Sequence, residues 1–176
     1  AASYFRSALT LLEEKEGNLQ ERGRILERLG DVKRLVGELD EGMKYWNDAL
    51  SLWKQLEEKE GEARLHHKMA FTLFNMGEPE KAKESLSEAL KILETMPEST
   101  ELVTVYDRMA GSLWARGDLV EALPWAEKAL GLAEKLKDFE GIARSYYQLG
   151  TIFASTDANK SAGYFEKALK IALDKG

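Results

Sequence analysis

The stretch "FNMGEPEKAKESLSEALKIL" at residues 74–93 decides the fold, because it predicts a helix end, a two-residue turn and a new amphipathic helix. A similar phrase, "LWARGDLVEALPWAEKALGL", occupies residues 113–132, and a fainter one, "RLVGELDEGMKYWNDALSLW", occupies residues 34–53. The turn glycines of the three phrases are equally spaced along the chain, at Gly37, Gly77 and Gly117. This self-similarity predicts a chain built from one repeated helical unit.

A second mark keeps the same phase along the chain. An Ala-Leu pair recurs at almost the same spacing as the glycines, at Ala8-Leu9, Ala49-Leu50, Ala89-Leu90, Ala129-Leu130 and Ala168-Leu169. Gly77 and Gly117 suit the left-handed position that ends a helix, and Pro79 suits the first turn of the next one. Asp118 and Glu121 supply acidic residues for the cap and first turn of another helix.

The apolar residues of each unit recur at three- and four-residue steps, so they share one face of a helix. No segment alternates with period two, and no sheet is predicted. Each unit is therefore a predicted pair of antiparallel helices, a short helix A followed by a longer helix B. One pair cannot bury its apolar stripe alone, so the pairs must stack into an all-α solenoid of about nine helices.

Composition excludes several classes of function. The chain has 176 residues, a formal charge of -6, 3 Pro and no Cys. The negative charge argues against nucleic acid and anionic membranes as partners, and the lack of cysteine excludes disulfides and thiolate metal sites. No apolar run approaches the roughly 18 residues of a membrane-spanning helix. A cytoplasmic protein is expected.

Motifs for catalysis or cofactor binding are absent from the sequence. It contains no Gly-rich phosphate loop, no dinucleotide fingerprint and no nucleophile elbow. The two histidines, His66 and His67, point about 100° apart on a helix and cannot converge on one metal. His66 is expected to pack half-buried, with Glu62 one turn earlier as a candidate partner. We expect no enzymatic activity, no cofactor and no metal site.

The units resemble the tetratricopeptide repeat (TPR) family, whose pattern is W-x2-L-G-x2-Y followed by A-x3-F-x2-A. "YYQLGTIF" at residues 146–153 matches the first half, with Tyr146 at the Trp position and Phe153 at the Tyr position. "LERLGDVK" at residues 26–33 matches through its Leu-Gly pair and departs at Lys33. The second half is matched by Ala82, Leu86 and Ala89, and by Gly42, Trp46 and Ala49. HEAT repeats also have about 40 residues, but the turn chemistry favours the TPR family.

The resemblance implies a right-handed superhelix and a set of repeat boundaries. A unit of this length is similar to the arrays of G-protein-signalling modulators, kinesin light chain and bacterial peptide-sensing regulators. The expected segments are a half repeat with helix B only at 1–17 and full repeats at 18–60, 61–98, 99–138 and 139–176. We interpret the chain as a fragment of a longer array, or as one whose open ends stack head to tail between molecules.

The resemblance also implies a binding surface. Positions two and six of helix A line the concave groove of TPR proteins, and six of the eight such residues here are basic. A composition with 25 basic residues in 176 predicts about one. The basic residues are Arg24, Arg28, Arg64, Lys68, Arg108 and Arg144, and the other two positions hold Thr104 and Gln148. Phe71, Phe74 and Trp114 are the expected apolar residues of the same groove.

Two interpretations of these basic residues remain open. One is a groove for an acidic peptide or helix of a partner protein, because the planar fork of arginine takes a carboxylate through two hydrogen bonds. The other is an internal network in which Glu27, Asp31 and Asp107 neutralise the cations, each exposed pair contributing about 0–1 kcal/mol. Glu27 and Asp31 also replace the Lys and Asn of the chaperone-binding clamp, so chaperone tails are not expected ligands. The alternative function is a structural or sensory segment of a multidomain regulator.

Overall fold

The computed structural model describes residues 18–175, and these residues form eight α-helices and no β-strand. The helices are α1 Leu19–Leu35, α2 Leu39–Gln55, α3 Lys59–Asn75, α4 Pro79–Leu93, α5 Thr100–Ala115, α6 Leu119–Leu136, α7 Phe139–Phe153 and α8 Ala158–Lys175. Odd-numbered helices are helix A of a repeat, and even-numbered helices are helix B. The predicted all-α fold of paired helices is confirmed, and the predicted half repeat at 1–17 lies outside the described residues.

The chain divides into two compact units, Ala1–Ile92 and Leu93–Gly176. In the first unit α1 packs on α2, and α2 packs on α3. In the second unit α5 packs on α6, α6 on α7 and α7 on α8, and α5 also contacts α7. Successive helix pairs therefore stack within each unit. Within residues 18–175, no helix is both long and apolar enough to cross a membrane.

The turns inside the helix pairs are closed by the glycines of the repeat. Gly37, Gly77 and Gly117 have φ values of +84°, +78° and +84°, in the left-handed region where a side chain costs energy. The residue after each glycine donates its N–H to a carbonyl five residues earlier, as Glu38 does to Lys33 at 2.9 Å. The predicted left-handed turn is confirmed at Gly77 and Gly117, and Gly37 takes the same conformation.

The predicted helix starts at α4 and α6 are formed in different ways. Pro79 is the first residue of α4, where its missing N–H is not required. Asp118 stands at the N-cap of α6, but its side chain makes no capping hydrogen bond. Its carboxylate lies instead 3.3 Å from Nε of Arg116. Asp118 therefore acts on α6 through its charge near the helix N-terminus.

The turns between helix pairs follow a different rule. Glu57 and Lys137 have positive φ values of 55° and 57° although neither is glycine. The equivalent residue of the link between them is Pro97, whose ring fixes φ near about −65°, so this link cannot copy the others. Helix α4 ends early, at Leu93, and Ser99 caps α5 by accepting a backbone N–H at 3.3 Å. The second pair consequently has a 17-residue helix A and a 15-residue helix B, the reverse of the predicted order.

The first unit buries two tryptophans against glycines. Trp46 is fully buried, and a Cβ on Gly30 would stand 2.3 Å from its ring. Its indole N–H donates to a backbone carbonyl of α1 at 3.2 Å. Trp53 is 2% exposed and fills the notches of Gly23 and Gly61, where a Cβ would stand 2.9 Å from its ring. Trp46, which matches the second half of the repeat pattern, therefore lies in the core of the first unit.

The second unit uses small residues at the same repeat positions. Ala110 and Ala126 stand two repeats after Gly30 and Trp46, and both are fully buried. On helix A the methyl group of Ala110 stands where the first unit has Gly30. On helix B the methyl group of Ala126 stands where the first unit has the indole of Trp46. The two units thus pack equivalent helices with different side-chain volumes.

Candidate functional site

Helices α1 and α3 bring four of the charged residues into one cluster, which we call the first charge cluster. Glu27 accepts hydrogen bonds from Arg64, with Nε at 2.8 Å and Nη2 at 3.1 Å, and from Nζ of Lys68 at 2.8 Å. Lys68 also donates to both carboxylate oxygens of Asp31, at 2.8 and 2.9 Å. Each helix contributes two residues four positions apart, which places them on one face. Arg64 and Lys68 therefore face carboxylates of their own chain.

The first charge cluster keeps Glu27 ionised. Its side chain is only 9% exposed, and this burial by itself raises the pKa of the carboxyl group. The hydrogen bonds and charges of Arg64 and Lys68 outweigh burial and lower the pKa from 4.5 to about 2. At neutral pH, Glu27 is consequently an anion fixed between two cations.

Two arginines on the same face of α1 form weaker ion pairs or none within the described residues. Arg24 is exposed and makes no ion pair with the residues in the described range. The Arg28 side chain is 71% exposed, and its Nη1 lies 3.9 Å from the Asp31 carboxylate. At this distance and exposure the pair contributes little. Arg24 and Arg28 therefore present their guanidinium groups to solvent.

The second unit repeats the acid–arginine contact between α5 and α7, forming what we call the second charge cluster. Asp107 accepts from Nε of Arg144 and from Oγ of Ser145, both at 2.8 Å. Arg144 also donates through Nη2 to the hydroxyl of Thr104 at 3.1 Å. Asp107 and Arg144 stand two repeats after Glu27 and Arg64, so the same contact occurs at equivalent positions of the two units.

The Asp107 carboxyl group differs from Glu27 in its pKa. Asp107 is 5% exposed, and this burial raises the pKa above its usual value of 3.8. The hydrogen bonds from Arg144 and Ser145 oppose the rise but do not cancel it. Of the two arginines whose charges lower this pKa, Arg144 and Arg108, only Arg144 donates a hydrogen bond to Asp107, and burial prevails.

The two clusters also differ at one facing pair of positions. Asp31 and Lys68 of the first unit correspond to Gly111 and Gln148 of the second. The Oε1 atom of Gln148 lies 3.5 Å from the position that a Cβ on Gly111 would take. The Nε2 atom of Gln148 is buried and has no hydrogen-bond partner among residues 18–175. Arg108, also an expected groove residue, is exposed and precedes Gly111 by three positions.

Comparison with known proteins defines the family of the chain. The sequence-family model of the tetratricopeptide repeat matches residues 21–95 and 101–174 of the chain. The chain is a TPR protein. The resemblance drawn from the turn glycines and the repeated helix pairs is confirmed. No curated protein matches the sequence of this TPR protein.

Solved structures share the fold of this TPR protein at low sequence identity. BtubC (BKLC) from P. vanneervenii has a TM-score of 0.86 at 20% identity, over 99% of this chain and 73% of that one. A Rap protein complexed with competence and sporulation factor has a TM-score of 0.82 at 19% identity, over 98% and 48%. Aspartyl phosphate phosphatase F from Bacillus subtilis has a TM-score of 0.87 at 13% identity, over 98% and 45%. This TPR protein spans about half the length of the last two chains.

The aromatic residues expected in the groove are partly exposed. Phe74 on α3 is 43% exposed, and Trp114 on α5 is 41% exposed. Phe71 is half-buried, with the guanidinium of Arg34 6.0 Å from the centre of its ring. Tyr147, which the groove assignment omitted, is 60% exposed. It stands one repeat after Asp107, at the same position of helix A, and this spacing was the signal that could have found it.

One of the two histidines of this TPR protein, His66, lies partly buried in α3. His66 is half-buried as predicted, and burial, followed by the charge of Lys54, lowers its pKa. The candidate partner Glu62 bonds Lys59 at 2.8 Å, and only its charge acts on His66. Within the described part of the chain, no three His, Asp or Glu residues are grouped so as to hold a metal ion.

Proposed function

We propose that this TPR protein is a non-catalytic interaction module that binds an acidic peptide or helix of a partner protein on its helix A faces. The family match supports the role of a repeat module in protein–protein interaction. The observation that carries the acidic partner is the exposed pair of arginines on α1, Arg24 and Arg28. They stand beside cations that already have partners, and the carboxylate nearest to Arg28, that of Asp31 at 3.9 Å, is bonded by Lys68 and leaves the Arg28 guanidinium largely exposed.

The charge balance of the first unit favours an acidic ligand. Its helix A faces carry four cations, Arg24, Arg28, Arg64 and Lys68, against the two carboxylates Glu27 and Asp31. Both carboxylates bond the cations of α3, so the two cations left over are Arg24 and Arg28 of α1, although the whole chain has a charge of -6. A local positive surface on a negative protein speeds and orients the docking of an acidic segment. This attraction weakens as salt increases.

The fixed cluster beside this surface supports binding at a low entropy cost. Glu27 and Asp31 hold Lys68 from two sides, so the groups next to Arg28 are ordered before any ligand arrives. The planar guanidinium groups of Arg24 and Arg28 can each take a carboxylate through two hydrogen bonds. Preorganisation of this kind reduces the cost of association. The neighbouring fold of a Rap protein complexed with competence and sporulation factor is compatible with this role.

A display selection with random extended peptides tests the proposal. The full chain is expected to enrich peptides rich in Asp and Glu, whereas a variant with Arg24→Glu and Arg28→Glu loses them. The matched control carries Lys44→Glu and Lys54→Glu, two exposed lysines of α2, and changes the charge of the same unit equally. Equal enrichment of acidic peptides by both variants, with unchanged helical spectra, contradicts the proposal.

A second candidate function is self-association or domain positioning, and the exposed face of α8 favours it. Leu169 is 60% exposed, whereas its equivalents Leu50 and Leu90 are 7% and 9% exposed. Leu173, one turn later, is 75% exposed. Such a face fits another packed helix. Analytical ultracentrifugation of the full chain and of a Leu169→Glu variant tests this candidate, which predicts an oligomer that only the parent chain forms.

A further inference from the structure

We propose that the cleft between α5 and α6 of the second unit receives an aromatic side chain from a helix of a partner protein, and that an acidic residue of the same helix bonds Lys128. This cleft lies outside the groove of the proposed function. Tyr106, which lines it, is two positions from both Thr104 and Arg108, so it points about 200° away from those groove residues around α5.

A cavity of about 320 Å³ opens between the two helices. Its α6 side consists of four residues at steps of three and four, Lys128, Gly131, Leu132 and Lys135. Four residues at this spacing form the hole that takes one side chain of a facing helix. The cavity therefore has the outline that fits a single large side chain carried on a helix.

The floor and one wall of the cavity are apolar and fixed in place. Leu102 of α5 and Leu132 of α6 are buried and form the floor. The ring of Tyr106 forms the wall, with its hydroxyl group donating to Glu94 at 3.3 Å and its ring centre 5.7 Å from that of Trp125. Because these groups are held by other parts of the second unit, a ligand has little to order when it binds.

Gly131 is the residue that leaves the cavity open. It lies inside α6 without a positive φ, and no atom stands within 4 Å of a Cβ built on it. The equivalent residues of the other three repeats all carry a side chain, and they are Ser51, Lys91 and Lys170. A glycine inside a helix destabilises that helix. No contact within the described part of the chain explains why this position lacks a side chain.

Other helix glycines of the chain show what such a position accepts. An aromatic ring of a neighbouring helix lies against each of four helix glycines, where a Cβ would stand less than 3 Å from the ring, at Gly23, Gly30, Gly61 and Gly150. The rings belong to Trp46, Trp53 and Phe165. Gly131 offers the same bare helix surface without a ring. An aromatic ring of a partner helix supplies the contact that the chain makes internally at the other four places.

Lys128 determines the charge that the partner helix needs. Its Nζ atom lies 4.6 Å from the centre of the Trp125 ring and 5.6 Å from that of Tyr106. No residue three or four positions from it on α6 is acidic, and no ion pair joins it to a residue that the structure describes. The acid that lines the cavity, Glu98, bonds Lys135 at 2.5 Å instead. A carboxylate on the partner helix therefore gains a charge-assisted hydrogen bond from Lys128.

A selection from displayed helical peptides tests the site. The library is a capped alanine–glutamine helix of about 20 residues, long enough to be helical in water, with one face randomised. The full chain selects the peptides, and a Gly131→Gln chain removes those that bind elsewhere. We expect the retained peptides to carry Trp, Tyr or Phe with Asp or Glu one turn away. Fluorescence anisotropy should show roughly tenfold weaker binding to Gly131→Gln, because the added side chain fills the cavity.

Two further variants separate the cavity from general effects. Gly163→Gln in α8 is the matched control, because Gly163 also has no atom within 4 Å of a built Cβ, and binding should be unchanged. Lys128→Gln should weaken peptides that carry the acid and leave unchanged those whose acid is replaced by Gln. Circular dichroism verifies that each variant is folded.

The inference is overturned if no retained peptide distinguishes the full chain from Gly131→Gln, or if the retained peptides lack an aromatic residue. Binding of N-acetyl-tryptophanamide as tight as that of the peptides contradicts a helical partner. Sedimentation velocity tests for a second copy of the chain in the cleft: an oligomer that the parent forms and Gly131→Gln does not form contradicts a separate partner. None of these outcomes involves Arg24 or Arg28, so this site and the proposed function stand or fall separately.

Discussion

The two units place the same ion pair at equivalent positions and give its acid opposite properties. Glu27 and Asp107 each bond an arginine of the next helix A, Arg64 and Arg144 respectively. Glu27 also receives Lys68, and its pKa falls to about 2. Asp107 accepts hydrogen bonds from one cation and one hydroxyl group and has the charge of Arg108 nearby, but burial still raises its pKa. The difference teaches that the shared arginine contact does not by itself fix the sign of the pKa shift: two hydrogen-bonded cations outweigh burial at Glu27, whereas burial prevails at Asp107.

The cores of the two units differ in a similar way. Trp53 on helix B of the first unit faces Gly23 on helix A. Two repeats later the same positions hold Ala133 and Val103, both fully buried. The larger side chain has moved from helix B to helix A. This compensation is confined to that pair, because Gly30 and Trp46 correspond to two alanines, Ala110 and Ala126, in the second unit.

Trp46→Ala is expected to have the largest effect among the changes that separate the two cores. It should lower the free energy of unfolding by about 3–5 kcal/mol, because a fully buried indole leaves a cavity against Gly30. Urea unfolding followed by circular dichroism measures the loss. The matched control is Trp125→Ala in the second unit, where the indole is only half-buried. A loss no larger than that of the control contradicts the assignment of Trp46 as the core of the first unit.

The pH dependence of stability is expected to separate Glu27 from Asp107. The Glu27 pKa is depressed in the folded chain, so its contribution is present above the unfolded value of 4.5 and is lost as pH falls through about 2. The difference between 4.5 and about 2 corresponds to roughly 3 kcal/mol. Glu27→Gln should therefore flatten the acid limb of the curve of unfolding free energy against pH.

Asp107→Asn is the matched variant and is expected to act with the opposite sign. The folded pKa of Asp107 lies above the usual 3.8, so the folded chain binds the proton more strongly than the unfolded chain. The parent chain consequently gains stability from this group as pH falls through the window just above 3.8, and the variant lacks that gain. If both variants change the slope of unfolding free energy against acid pH in the same direction, the opposite pKa shifts assigned to Glu27 and Asp107 are contradicted.

Gly30→Ala tests whether the volumes of a helix pair are coupled. The added Cβ would stand 2.3 Å from the Trp46 ring, and the cost is expected to be about 1–3 kcal/mol. In a Trp46→Ala background, the same change should instead stabilise by about 0.5–1 kcal/mol, because alanine favours the helix over glycine. A double-mutant cycle in urea measures the coupling. Additive effects of the two changes contradict steric coupling between Gly30 and Trp46.

The turn pattern explains why the fold could be predicted from the sequence. Gly37, Gly77 and Gly117 stand at left-handed positions that few other residues tolerate, so the spacing of one residue type marks the helix pairs. Glu57 and Lys137 take the same conformation without any such mark. The turns between pairs were therefore not predictable in detail, and neither was the shortened α4.

The candidate site was predictable only in part, for a different reason. Helical periodicity places Arg64 and Lys68 on one face and Glu27 on another helix of the same surface. Which groups meet depends on the offset of neighbouring helices, and an amphipathic pattern does not determine that offset. The missing carboxylate at Gly111 could not be predicted either, because it is recognised only by comparison with Asp31, the equivalent residue of the other unit.

Gly131→Ala in the second unit is expected to have the smallest effect, with a sign opposite to that of Gly30→Ala in the first. No atom lies within 4 Å of a Cβ built on Gly131, which is inside α6 and has no positive φ. Alanine should stabilise the helix by about 0.5–1 kcal/mol, measured by urea unfolding. Gly117→Ala is the control, because Gly117 has equal space but a φ of +84°, so the substitution should destabilise. If Gly131→Ala destabilises the chain as Gly30→Ala and Gly117→Ala do, free space around the Cβ does not explain the difference between Gly131 and Gly30.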